Sequence, residues 1–219
     1  MEPTTPNLAA DLIRIHKVIT RGINVCLVKG REYLQSGFPQ SQALLGYSRY
    51  IHSLASVLDS HHTVEDIFAF PELRRMIPSA PYAKLASDHN QIEGLLTTLS
   101  PLIAELSDAH KGLESIVDTL RKTSEIWEPH IQLEERYFSE ATLNAVVPLD
   151  DQRRISEAIG KYSQEHSGPP YWVVPFILYN LERDERAIMA ATFPALILEE
   201  MVPTVWADQW APMKPLLLD

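Results

Sequence analysis

The chain has 219 residues, 45% of them apolar and 22% charged, which gives enough apolar mass for one packed domain with an elaboration and excludes a disordered chain. Its formal net charge is −10 and no segment gathers Lys and Arg, so the basic face that binds nucleic acid is missing. The lone cysteine, Cys26, excludes an internal disulfide and suits a reducing compartment.

The N-terminus, Met1-Glu2-Pro3-Thr4, has no basic segment leading into an apolar run, so no secretory signal is read there. The most apolar stretch, Tyr171 to Leu181, is interrupted by Pro175 and falls far short of a bilayer span. A cytoplasmic protein without membrane or nucleic-acid partners is the expectation.

Prolines and glycines then divide the chain. Helices are expected at Asn7 to Leu34, Ser41 to Ala69, Pro81 to Leu106 and Gly112 to Thr142. The breakers between them are Ser36-Gly37-Phe38-Pro39, Pro71 to Pro78, and Ser107 to Lys111. Pro101 and Pro129 fall inside the third and fourth segments and predict a kink or restart at each. Four long helices with short connections predict an all-α, up-down-up-down four-helix bundle over residues 7–142.

Beyond Pro148 the texture changes. A helix capped at Asp150 is expected to run to about His166, where Gly168-Pro169-Pro170 breaks it. Another helix is expected over Glu185 to Glu200, and the tail carries Trp206, Trp210, Pro212 and Pro215. No linker is long or polar enough to separate a domain, so residues 143–219 are read as a lid of short helices on the bundle.

Apolar residues recur at steps of three and four along each bundle helix: Leu12, Ile19 and Ile23; Ile51, Leu54 and Leu58; Leu85, Ile92 and Leu96. The gaps in these seams hold metal-ligand residue types. They are His16 on the first helix, His61 and Glu65 on the second, His89 on the third, and His130 and Glu134 on the fourth. At ~1.5 Å rise per residue, antiparallel packing brings the four histidines to one level within roughly a helical turn. Buried carboxylates in that layer require a cation or a shared proton. A pair of irons bridged by carboxylates meets both the charge and the mixed nitrogen and oxygen donor set. His52 lies off the seam, while His110 and His166 fall in a loop and near a helix end, so none of the three is read as a ligand.

His61-His62-Thr63-Val64-Glu65-Asp66 with Phe70-Pro71, Asp88-His89, and His130-Ile131-Gln132-Leu133-Glu134-Glu135 resemble the helix signatures of the hemerythrin-like HHE cation-binding domain, and His16 its first-helix histidine. The tail, with Val174-Pro175-Phe176 and Trp210-Ala211-Pro212-Met213-Lys214-Pro215, is similar to that of long hemerythrin-like proteins. The resemblance implies two non-haem iron ions, oxo- or hydroxo-bridged, held by His16, His61, Glu65, His89, His130 and Glu134. His62 adjoins His61 as an alternate ligand, Asp66 as an outer partner, and Glu135 stands in the position that carries the carboxylate in oxygen-carrying relatives. Those carriers have a second histidine on the third helix where this chain has Glu93. If Glu93 coordinates, the more anionic set favours oxygen activation over reversible binding.

The resemblance thus implies an oxygen-dependent oxidase or oxygenase acting on a small apolar or aromatic molecule, with the lid as a pocket wall. Its competitors are storage or sensing of oxygen, iron or nitric oxide, and detoxification of peroxide or iron.

Overall fold

The computed structural model describes residues 7–106 and 112–219, and among them every regular element is helical. The first helix, α1, spans Leu8–Ser36; the Asn7 side chain accepts the Ala10 N–H at its start, and Gly37, at φ 79°, closes it by donating its N–H to the Tyr33 carbonyl. The second, α2, spans Ser41–Val64 and does not stop where a breaker was expected. It widens into a π-turn over Glu65–Ala69 and continues as α3, Phe70–Met76.

Pro71 explains the widening. It has no N–H to donate, and in an α-helix its ring would press on the carbonyl four residues back. The π-turn, in which the Phe70 N–H reaches the Glu65 carbonyl, changes the register just before the proline.

Helix α4 spans Tyr82–Glu105 and α5 spans Leu113–Tyr137; both run unbroken through their prolines, so neither Pro101 nor Pro129 restarts a helix. The expected fourth helix is split before Thr142, where Ser139 caps a separate α6, Glu140–Val146, by accepting the Thr142 N–H. The Ser107 to Lys111 breaker, with His110, lies outside the described residues.

Four contacts close the bundle: α1 on α2, α2 on α4, α4 on α5, and α5 back on α1. No helix among the described residues is long and apolar enough to cross a membrane.

The C-terminal part begins with α7, Leu149–His166, whose first turn carries Asp150 and Asp151 behind Pro148. Gly168, at φ 91°, turns the chain into α8, Pro170–Tyr179. The helix expected over Glu185 to Glu200 is two elements, because Pro194 interrupts it. These are α9, Arg183–Ala190, and a π segment, Ile197–Val205. A short α10, Ala207–Trp210, and a 3-10 turn, Ala211–Leu216, end the fold.

These elements do more than cover the bundle. Phe176, Trp210, Met213 and Leu216 are buried in one apolar cluster with Ile51, Leu54 and Leu58 of α2. The 3-10 turn lies so close to α2 that a Cβ on Gly46 would sit 2.0 Å from the Pro212 carbonyl oxygen.

A second apolar cluster joins Leu8, Ala9, Phe70, Leu73, Tyr82, Leu85, Phe138 and Ile155. Helices α1, α4 and α5 contribute to both clusters, α2 reaches the second through its continuation into α3, and the histidines and carboxylates fall between them. On α4, for example, Leu85 belongs to the second cluster, His89 to neither, and Ile92 to the first.

Candidate metal centre

The polar layer between the clusters contains His16 from α1, His61 and His62 from α2, Glu65 from the π-turn, His89 from α4, and His130 and Glu134 from α5, all of them buried. Their donor atoms converge in overlapping groups. In one, a donor from each of His16, His61, Glu65 and Glu134 lies within 4.8 Å of every other. In a second, the same holds for Glu65, His89, His130 and Glu134, and in a third for His62, His89 and His130.

The two carboxylates stand at the centre. Glu134 Oε2 lies 3.2 Å from His16 Nε2, while its Oε1 lies 3.4 Å from His130 Nε2 and 3.9 Å from His89 Nε2. Glu65 Oε2 lies 3.5 Å from both His61 Nε2 and His89 Nε2. Ligand atoms about 2.1 Å from one metal stand about 3.0 to 3.4 Å apart in octahedral or tetrahedral geometry, so this spacing fits shared cations.

The outer ring nitrogens fix the direction of these imidazoles. His16 Nδ1 lies 3.0 Å from Glu135 Oε1, His89 Nδ1 3.1 Å from Asp66 Oδ2, and His130 Nδ1 3.6 Å from Asp88 Oδ2. Asp88 in turn accepts from Lys84 Nζ. Of the three, only His16 Nδ1 is in hydrogen-bond geometry with its carboxylate, which favours the proton there and leaves its Nε2 lone pair facing inward, the arrangement typical of metal-bound histidine. Trp127 closes one side, with its ring edge-on to His16 and its Nε1 donating to Thr20 Oγ1; Phe70 stacks on His89 from the other.

Polar satisfaction gives the decisive test of fit. His16 Nε2, His61 Nε2, His62 Nε2, Glu65 Oε2 and both oxygens of Glu134 are buried without a hydrogen-bond partner. Burial pairs such atoms in nearly every folded protein, so six of them converging here mark a site built for cations. The electrostatics agree. Burial, and then neighbouring imidazoles, hold His61 and His62 well below the usual histidine range, as neutral donors. Burial works to raise the Glu134 carboxyl, but the His130 and His16 imidazoles beside it outweigh burial and hold it well below the usual range. Burial, followed by the charges of Glu134 and Asp66, pushes Glu65 well above it. The two central carboxylates are pushed in opposite directions, and a cation between them would remove the conflict.

Of the residues expected as ligands, the structure gathers six: His16, His61, Glu65, His89, His130 and Glu134. Glu93 is not among them. It is exposed, and the carboxyl it influences is that of Asp59 on α2. The structure thus does not bring Glu93 to the other donors, although it follows His89 at the same four-residue step that keeps Glu65 with His61 and Glu134 with His130.

His62, by contrast, enters the layer beside His61, because two consecutive helical residues ~100° apart both fit the broad interior sector of α2. Asp66 and Glu135 take outer positions on imidazole nitrogens. Asp88 has the same role and was missed; its signal was a carboxylate three residues after Leu85, on the apolar face. His52 packs against Trp172, and His166 stacks on Tyr162, both away from the layer.

Fold and site together define a helical-bundle protein built to hold metal cations. Residues 7–141 match the hemerythrin HHE cation binding domain, well over half of the chain, so the protein belongs to that family. No curated protein and no solved structure matches the chain.

Proposed function

We propose that the layer holds two non-haem iron ions and that the protein binds dioxygen at that pair. The observation that carries this reading is that Glu65 and Glu134 each belong to both four-donor groups, so two cations would share both carboxylates. Bound there, ferrous ions would supply the electrons that dioxygen needs.

The chain supplies the rest. Glu135, Asp66 and Asp88 orient the imidazoles, and Trp127 and Phe70 keep bulk water off the faces of the layer. Histidine-rich donation supports reversible binding over oxygenase turnover. The anionic set that favoured an oxygenase depended on Glu93, and in its stead His62 brings a fifth imidazole, from α2 where carriers draw theirs from the third helix.

Anaerobic diferrous protein mixed with oxygen in a stopped-flow spectrometer tests the reading. The expected result is an oxygenated spectrum that returns to the starting one under argon. Irreversible oxidation on the first exposure would move the protein to the oxidase class. A content of one metal per chain after anaerobic iron loading would remove the di-iron reading altogether.

A further inference from the structure

Along the outer face of α1 run two hollows, of about 490 and 260 Å³, that share Arg21 and Asn24 as lining. The larger reaches down to Thr20, Ile131 and the outer side of His16. The smaller runs upward along Val25 and Val28 to Pro215 and Leu216 of the C-terminal turn.

The cations lining these hollows are not equivalent. Lys17 is paired with Glu185 and Lys29 with Glu32. Arg21 has no acidic partner among the described residues, although the chain as a whole carries a net charge of −10. Its bonds all leave from Nη1, to Tyr50 Oη at 3.2 Å, Asn180 Oδ1 at 2.5 Å and the Leu216 carbonyl at 3.0 Å. Tyr50 Oη also donates to Asn180 Oδ1, and both residues are buried, so the guanidinium is held in place before any ligand arrives. Among the described residues no acceptor takes its Nε or Nη2 donors, and Arg21 lines both hollows.

A preorganised guanidinium with free, adjacent donors is a receptor for a carboxylate, which it can grip through two parallel hydrogen bonds. From Arg21 the apolar wall rises through Val25 and Val28, seven residues or ~10 Å along the helix, with Pro215 and Leu216 facing it. We infer that this groove binds a medium-chain organic carboxylate, its head on Arg21 and Asn24 and its hydrocarbon chain between α1 and the C-terminal turn. The apolar wall argues against a bare inorganic anion, which would gain nothing from it. Such a ligand would touch bundle and C-terminal turn at once. The inference stands apart from the di-iron reading, since binding is read without any oxygen chemistry.

Titration calorimetry of the full chain with octanoate, with octanamide as the neutral control, tests it. Octanoate should bind, and octanamide should bind about tenfold more weakly or worse, as expected for loss of a charged hydrogen-bonded pair. Arg21→Gln should weaken octanoate by a similar factor. Because Arg21 also ties the C-terminal turn to the bundle, a second variant is needed. Val28→Asp lies on an exposed position, leaves those ties intact and should also weaken octanoate about tenfold by placing a like charge beside the chain. Equal binding of octanoate and octanamide, or unchanged binding in Val28→Asp, would overturn the inference. Displacement of octanoate by an equal concentration of inorganic phosphate would do so too, by showing a general anion site.

Discussion

His89 and His130, brought together from α4 and α5, point their Nε2 atoms at one another across 3.2 Å inside the bundle. Asp66 and Asp88 stand near the opposite nitrogens, at 3.1 and 3.6 Å, and two inner nitrogens with no proton between them would repel. A cation or a proton shared between them relieves this repulsion. Chelation should therefore cost stability as well as colour. With free metal at a hundred times its dissociation constant, the bound form gains about 2.7 kcal/mol for each site. Differential scanning calorimetry of metal-loaded and chelator-treated protein should show the treated form melting at the lower temperature.

The central carboxylates and the outer one should separate cleanly. Glu65→Ala and Glu134→Ala each remove a donor shared by both groups, so each should lose both metals on desalting. Glu135→Ala removes only the partner of His16 Nδ1 and should keep two metals at roughly 10- to 100-fold lower affinity. Metal analysis after gel filtration reads both results.

His62 and Glu93 should respond to substitution in opposite ways. His62→Gln should change the iron absorption spectrum and lower occupancy, since His62 converges with His89 and His130. Glu93→Gln should leave the spectrum as it is, because that side chain is exposed. A shifted spectrum in Glu93→Gln would return the residue to the ligand set.

Gly46→Ala should loosen the C-terminal turn without emptying the metal layer. Its Cβ would meet the Pro212 carbonyl, a backbone atom that has no rotamer to escape into. Overpacking of this kind costs about 1 to 3 kcal/mol. Limited proteolysis should cut the variant earlier near residue 212, and its metal content should match wild type.

Stability should fall at alkaline pH for a reason built into the apolar core. Burial pushes the Cys26 thiol up, and burial likewise raises the phenols of Tyr47 and Tyr50. A group whose folded pKa is raised binds its proton more tightly in the native state than when unfolded. Its contribution is thus full below the unfolded pKa and is lost as pH rises above it, from about 8.5 for a thiol and about 10 for a phenol. The thiol alone removes about 2 kcal/mol by pH 10. Urea midpoints should fall between pH 8 and pH 10, and Cys26→Ala should flatten the early part of that decline. A thiol reagent at pH 8 should label Cys26 only on unfolding, because the residue is fully buried.

The amino-acid sequence by itself determined the bundle and most of its polar layer. Helical periodicity is local, so a histidine filling a gap in an apolar seam announces its inward direction before any partner is known. That is why His16, His61, Glu65, His89, His130 and Glu134 could be read as inward-facing from their spacing, and why Glu134 was preferred to Glu135, one residue and ~100° away. Tertiary structure decided what spacing leaves open. Whether residues at the edge of a helical face reach the interior depends on how wide a sector the neighbouring helices leave. The sector on α2 admitted both His61 and His62, and that on α4 turned Glu93 out to solvent. The route of α2 through Pro71 was likewise settled by packing: the core that Phe70 and Leu73 enter keeps the chain helical, and the π-turn beginning at Glu65 absorbs the proline. So was the place of residues 143–219, whose short, proline-broken elements carry no long period to reveal a partner. Only in the folded chain do Phe176 and Met213 find α2, and Arg21 its grip on Tyr50, Asn180 and Leu216.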